Sequence, residues 1–184
     1  MSRVNGFFTF HSPLQSAGLV WGRIGFISIA PFIEMRPTVD IVLEIDTGSN
    51  CTILLDNDFL QVCKSSGWKP SKNPDDIVNW IRTQPNRFNP IGELHCIAGN
   101  REIYRIESSY LQLLRKDLRV PSGWKPQSPL YGTFSTNFLG EDIPDDNCKR
   151  GYPKSHRSIL GRDKINEYQE LLWSRPNKTI KLSG

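Results

Sequence analysis

The chain has 184 residues, of which 38% are hydrophobic and 23% charged, and its formal net charge is +4 at pH 7. This length suits one domain with a single core, and the composition excludes a disordered or collagen-like chain. The mild positive charge does not require nucleic acid as a partner, and no apolar run reaches the length of a transmembrane helix.

Three features are predicted before residue 39. Residues 1–21 contain a short apolar segment, Gly6 to Phe10, and then a link rich in Ser, Pro and Gly, which together predict an N-terminal arm. Residues 23–32 alternate in hydrophobicity, which predicts a strand. Proline residues between 31 and 37 then mark a turn.

The most informative stretch runs from Val39 to Leu55. Its first half alternates apolar and polar side chains, which predicts a strand ending at Ile45. Asp46 follows directly, and small or hydroxyl-bearing residues suited to a tight turn come next: Thr47, Gly48, Ser49 and Asn50. A carboxylate is costly to bury without partners, so Asp46 on this turn is a candidate for acid–base chemistry.

Two short helices are predicted after this stretch. The acidic segment 56–58 offers an N-cap for a helix that ends at Gly67. Asn73, followed by Pro74 and two acidic residues, predicts a second helix whose apolar face contains Ile77, Trp80 and Ile81. We interpret the acidic residues of both helices as capping groups and not as catalytic residues.

A β-hairpin is predicted within residues 90–114. Its tip contains Ile97, Ala98, Gly99 and Asn100, and the alternation in residues 101–106 suits an outgoing strand. Residues 120–153 are rich in Pro, Gly and Ser and predict a long excursion between core strands. The acidic residues 142, 145 and 146 within it lack the spacing of an EF-hand loop, so we interpret them as a solvated turn.

The C-terminal part begins with Ser158 to Asp163. Its first residues predict a strand, and Gly161 suits a close approach of another backbone segment because a Cβ would obstruct it. Arg162 begins a helix that runs to about Tyr168. Residues 169–173 and 178–182 predict two final strands.

The two motifs together resemble a known family. Asp46-Thr47-Gly48-Ser49 after an apolar strand resembles the active-site motif of aspartic peptidases. Ser158-Ile159-Leu160-Gly161-Arg162-Asp163 resembles the C-terminal signature of the retroviral-type (retropepsin-like) members. The order and separation of the motifs are similar to those of the branch that has one motif per chain and forms homodimers.

This resemblance implies a mainly β fold, a retropepsin-like closed β-barrel with short helices, over a single domain of residues 1–184. Residues 1–21 would be an arm, and residues 65–87 and 120–153 would be insertions relative to a minimal member. The hairpin tip at Ile97, Ala98, Gly99 and Asn100 would be the flap that closes over a peptide. An ordinary surface hairpin is the alternative interpretation.

The resemblance also implies an aspartic endopeptidase that needs no cofactor and no metal. Because the chain carries one motif, the second Asp46 would come from an identical chain across a twofold axis. Two adjacent carboxylates cannot both ionise, so one would activate water while the other protonates the peptide carbonyl. Thr47 and Gly48 would fix the turn, and Ser49 would donate a hydrogen bond to the Asp46 carboxylate.

One position departs from the family. There, the arginine that corresponds to Arg162 pairs with a carboxylate just after the motif and ties the dimer together. Asn50 occupies that position here, so Arg162 would donate to the Asn50 carbonyl or to another acid. Gly161 and Arg162 would remain supporting residues of the turn and the dimer.

Three functions stay open. The first is a homodimeric aspartic endopeptidase acting on polypeptides in the cytoplasm, with no nucleic acid or membrane partner. The second is a catalytically inactive interaction module with the same fold, and the third is an unrelated small β-rich domain with a chance D-T-G.

The cysteines (51, 63, 96 and 148) have no C-x-x-C spacing and no preceding secretory signal, so we expect free thiols. Zinc binding by a cysteine and His95 is an alternative.

Overall fold

A computed structural model of the chain describes residues 3–12, 15–26, 38–71, 73–96, 99–114, 130–133, 158–174 and 179–183. The strands in these residues are β1 (Arg3–Ser12), β2 (Gln15–Phe26), β3 (Val39–Ile45), β4 (Ile53–Leu55), β5 (Phe88–Cys96), β6 (Gly99–Ile106), β7 (Ser109–Leu114), β8 (Leu130–Thr133), β9 (Ser158–Leu160), β10 (Glu170–Ser174) and β11 (Thr179–Ser183). The helices are α1 (Asp56–Ser65), α2 (Pro74–Arg82) and α3 (Arg162–Ile165). The mainly β class expected from the sequence is confirmed.

The strands form one sheet in the order β10-β11-β1-β2-β3-β9-β4-β8-β6-β5, and β7 pairs with β2. Among the described residues no pairing joins β10 to β5, so the closure expected of a barrel is not among the observed pairings. Most neighbours are antiparallel. The exceptions are β3 with β9 and β4 with β8, which run parallel.

At the centre of the sheet, strand β9 separates two strands that are consecutive in the chain. β9 lies between β3 and β4, and both of these strands pair with it. The chain therefore leaves β3 on one side of β9, turns through residues 46–52, and returns as β4 on the other side. This crossing places the turn at Asp46 against the C-terminal end of β9.

The N-terminal segment is part of the sheet. β1 pairs with both β11 and β2, and β2 pairs with β3 from Leu19 onward. Leu19 and Val20 are fully buried. The strand predicted for residues 23–32 thus starts earlier, at Gln15, and much of the predicted arm belongs to β1 and β2. Residues 27–32 lie outside the described part.

The two longer helices pack against the sheet. Phe59 of α1 lies on Gly132 of β8, where an added Cβ would come within 2.3 Å of the Phe59 ring. Ile77 and Ile81 of α2 are fully buried, which confirms the predicted apolar face. Asn73 caps α2 by accepting a hydrogen bond from the Asp75 N–H at 3.1 Å, also as predicted.

The N-terminus of α1 differs from the prediction. Its N-cap is Leu55, which has no side-chain capping bond, and Asp56 and Asp58 lie inside the first turn. The capping interpretation of these two acids is therefore wrong. Capping rules describe contacts within a few residues of the helix start. Both carboxylates instead bind residues distant in sequence, Asp56 to Arg101 and Asp58 to Ser158.

One core strand lies inside a predicted insertion. β8 falls within residues 120–153, yet it pairs with β4 on one side and β6 on the other. The remainder of that stretch, with the acidic residues 142, 145 and 146, lies outside the described residues.

The C-terminal prediction agrees with β10 and β11, which form an antiparallel pair, while α3 is shorter than predicted and ends at Ile165. No helix in the part of the chain that the structure describes is both long and apolar enough to span a membrane.

Candidate active site

Asp46 lies where β3 ends. Its backbone N–H donates to the carbonyl of Leu160 at 3.1 Å, which extends the parallel pairing of β3 with β9 by one bond. The side chain is partly exposed, and its Oδ1 accepts a hydrogen bond from the Gly48 N–H at 2.8 Å. The Ser49 N–H donates to the Asp46 carbonyl at 3.2 Å and closes the turn. The carboxylate thus accepts a backbone N–H bond on a turn fixed by backbone bonds, while the side chain remains partly open to solvent.

Ser49 makes a different contact from the one predicted. Its hydroxyl donates to the carbonyl of Cys51 at 2.8 Å and not to the Asp46 carboxylate. Serine hydroxyls commonly bind a nearby backbone group within a turn, and this carbonyl is only two residues away. The donor to Asp46 is the Gly48 N–H instead. Ser49 therefore stabilises the turn without touching the carboxylate.

Gly161 is where the two motifs approach most closely. A Cβ at this position would lie 2.4 Å from both the carbonyl carbon and the carbonyl oxygen of Cys51. Real Cβ atoms do not come this close to backbone, so no residue with a side chain fits here without displacing the turn. The close approach inferred for Gly161 from the sequence corresponds to this contact.

Arg162 and Asp163 form hydrogen bonds with Ser49 and Asn50 of the turn. The Arg162 guanidinium donates from Nη2 to the side-chain oxygen of Asn50. The Arg162 N–H donates to the Ser49 carbonyl at 2.9 Å, and the Asp163 N–H donates to the Asn50 carbonyl at 3.3 Å. A neutral amide therefore takes the place that a carboxylate occupies in the family that the motifs resemble.

Two residues of this site had no role predicted from the sequence. The fully buried hydroxyl of Thr52 accepts from the Gly161 N–H at 3.0 Å and donates to Oδ1 of Asp163 at 2.8 Å. One sequence signal could have identified Thr52, which lies just before an apolar strand. A hydroxyl buried at such a position almost always has hydrogen-bond partners. Thr52 and Asp163 thus add a side-chain connection between the turn and the start of α3.

The acids of α1 form a second polar cluster. Asp56 is fully buried, and Nη1 of Arg101 on β6 lies 3.3 Å from each of its carboxylate oxygens. The hydroxyl of buried Ser158 donates to Asp58 at 2.5 Å and accepts from the Leu55 N–H at 3.0 Å. Burial raises the pKa of the Asp58 carboxyl to about 6, against the lowering effect of the Ser158 hydrogen bonds.

The predicted flap is a hairpin of β5 and β6. Cys96 is opposite Gly99, so residues 97 and 98 connect the strands. Ile97 and Ala98 lie outside the described residues, while Gly99 and Asn100 begin β6. β7 does not continue the hairpin, since it pairs with β2.

No group of three or more His, Cys, Asp or Glu side chains in the described ranges could hold a metal ion. Cys51 and Cys63 are free thiols, and burial raises the pKa of both. The side chain of His95 and the cysteines at 96 and 148 lie outside the described side chains.

No protein-family model matches the sequence, and a comparison with curated proteins gives no significant match. Among solved structures, the chain is similar to a retropepsin-like aspartic protease from Rickettsia conorii, with 9% sequence identity and a TM-score of 0.41. That alignment covers 98% of this chain and 89% of the other. Similarity at this level leaves the activity of this chain to be judged from its own residues.

Proposed function

We propose that the protein is an aspartic endopeptidase whose active site forms between two copies of the chain, each contributing one Asp46. The observation that carries this proposal is the attachment of the Asp46 turn to the segment around Gly161. Backbone bonds to Leu160, Arg162 and Asp163 hold the turn against the end of β9 and the start of α3. A catalytic carboxylate requires this kind of fixed position together with access to solvent.

The chemistry follows from pairing two such carboxylates. Across a twofold axis the two Asp46 side chains share one proton, because they cannot both ionise at close range. The ionised one accepts a proton from water as the water oxygen attacks the peptide carbonyl carbon, while the protonated one donates to the carbonyl oxygen. When the C–N bond breaks, a proton passes to the departing nitrogen, which leaves as an amine.

The remaining residues have supporting roles in this proposal. Thr47 and Gly48 shape the turn, and the Arg162–Asn50 contact ties it to α3. The β5–β6 hairpin, with its tip at Ile97 to Asn100, covers the bound polypeptide and excludes water from the site.

The test combines cleavage and assembly. We expect the purified protein to sediment as a dimer, to cleave peptides from a mixed-sequence library and to be inhibited by pepstatin. Asp46→Asn should abolish cleavage without lowering Tm. Asp75→Asn, which alters an exposed acid on α2, is the matched control and should remain active. Full activity of Asp46→Asn would contradict the proposal.

A mixing experiment tests the shared site directly. When wild-type and Asp46→Asn chains are mixed equally and allowed to exchange, about one quarter of the dimers carry two aspartates. Activity per wild-type chain should therefore fall to about half. Activity per wild-type chain that does not change on mixing would show that each chain works alone.

A catalytically inactive interaction module is the second candidate. The neutral Asn50 next to Arg162 favours it, because the charged partner expected from the family resemblance is missing. A folded dimer that cleaves no member of the peptide library across pH 3 to 8 would support this function over the first.

A further inference from the structure

An ion pair joins the β5–β6 hairpin to the body of the subunit. Arg101 lies on β6, opposite Leu94 of β5, and its Nη1 is 3.3 Å from both carboxylate oxygens of Asp56. The Asp56 side chain is fully buried and the Arg101 side chain is 15% exposed. The pair is therefore shielded from water. In a buried ion pair, loss of one partner leaves the charge of the other uncompensated.

Asp56 is a fixed point on the subunit body. It follows β4 directly, and β4 continues the chain from the Asp46 turn. Two residues later, Asp58 accepts a hydrogen bond from Ser158 of β9, and the same hydroxyl accepts from the Leu55 N–H. The start of α1, which carries Asp56, is therefore attached to β4 through the chain and to β9 through the bonds of Leu55 and Asp58 to Ser158.

The backbone at Asp56 is itself unusual. Its φ is +41°, in the left-handed region that non-glycine residues rarely adopt. Such a conformation persists only where surrounding contacts hold it. The bond to Arg101 is one such contact, so the hairpin and the start of α1 support each other.

The hairpin has a point where it can bend. The pairing of β5 with β6 shifts register between Pro90 and Gly92, and Gly92 has a φ of +147° with nothing within 4 Å of an added Cβ. Bulges of this kind interrupt the ladder and bend the strand. Arg101 lies beyond this bulge, between it and the connection at residues 97 and 98. The ion pair thus acts on the half of the hairpin that includes the tip.

We propose that Arg101 and Asp56 are a positioning pair that holds the tip half of the β5–β6 hairpin in place relative to the Asp46 turn. This inference rests on the proposed function for its consequence, which is that the pair sets how the hairpin closes over a bound peptide. Neither residue contacts the reacting atoms. The pair instead affects substrate binding and the mobility of the hairpin.

Hydrogen–deuterium exchange measures that mobility without any assay of cleavage. In Arg101→Met, we expect amide exchange in residues 99–106 to accelerate by about tenfold or more, because the hairpin opens locally more often. Exchange in β2 and β3 should not change. Arg105→Met is the matched control, since Arg105 lies on the same strand but pairs with Glu107 at the base of the hairpin, and its side chain is 41% exposed. Its exchange at 99–103 should match wild type.

Two further variants keep the test informative if Arg101→Met folds poorly. Arg101→Lys retains the charge and should restore most of the wild-type protection. Arg101→Met combined with Asp56→Asn removes the uncompensated charge, so it should fold while still showing the accelerated exchange at 99–106. Wild-type exchange at these residues in the double variant would overturn the inference.

The kinetic readout separates this inference from the proposed function. If the protein cleaves peptides, Arg101→Met should raise KM by about tenfold and change kcat much less, because ground-state binding under the hairpin is weakened. A protein that cleaves nothing but shows the exchange change refutes the endopeptidase and supports the positioning pair. An active protein whose exchange and KM do not respond to Arg101→Met retains its proposed function and refutes the pair.

Discussion

Replacing Gly161 by alanine tests the contact between the Asp46 turn and the segment that follows β9. The new methyl group would lie 2.4 Å from the carbonyl carbon and oxygen of Cys51 and 2.9 Å from its nitrogen. Carbon atoms pack at about 3.5 to 4.0 Å, so the overlap exceeds ~1 Å. All three atoms are backbone atoms, and no flexible side chain can move aside. The turn itself must shift.

The expected cost follows from this geometry. Overfilling a packed site costs about 1 to 3 kcal/mol, and an overlap with backbone belongs at the upper end, about 3 kcal/mol. For a chain of this length each kcal/mol lowers Tm by about 2 to 4 °C, so Tm should fall by about 6 to 12 °C. A displacement of about 1 Å at the catalytic group should also lower kcat by about a hundredfold.

Thermal unfolding and peptide cleavage of the same preparations provide the assay. Gly67→Ala is the control, because Gly67 has a φ of +111° but nothing within 4 Å of an added Cβ. It should lose about 1 to 2 kcal/mol from backbone strain and retain its kcat. A Gly161→Ala protein with the Tm and kcat of wild type would refute the close approach and the role given to it.

Two more predictions concern the polar contacts. The pKa of Asp58 rises from an ordinary 3.8 to about 6 in the folded state, so the free energy of unfolding should fall by about 3 kcal/mol as pH rises from about 3 to about 7. Asp58→Asn retains an acceptor for Ser158 and should remove this decline, which urea unfolding at several pH values would measure. A decline of wild-type size in the variant would be evidence against Asp58 as its source. Ser49→Ala loses the bond to Cys51 and should cost about 1 kcal/mol in urea unfolding. It should leave the pH profile of cleavage unchanged, whereas an optimum that moved upward would indicate that the hydroxyl acts on Asp46.

Local patterns in the sequence predicted the elements that local contacts determine. The alternation before Asp46 gave the position of β3, and the Asn73 cap with its apolar face gave α2. The close backbone approach at Gly161 was predicted because the absence of a Cβ has a direct steric consequence. These inferences need only the neighbouring residues or one known geometric constraint.

Contacts between distant residues were not predictable in this way. Asp56 and Asp58 satisfied the local rule for a helix start, but their partners lie 45 and 100 residues away in the sequence. β8 was missed because it is only four residues long and lies within a Pro- and Gly-rich stretch, while its two sheet partners are remote. The hydroxyl of Ser49 had two acceptors within reach, and the sequence alone does not distinguish them.

The position of β9 between β3 and β4 has a consequence for the order in which the protein can mature. Thr52 and Asp163 are 111 residues apart in the chain, and pairings this remote form late during folding. On the ribosome, residues 158–163 emerge long after the Asp46 turn, so a nascent chain carries its key carboxylate on an unfinished loop. The arrangement of the strands thus delays completion of the Asp46 turn until synthesis has passed residue 163.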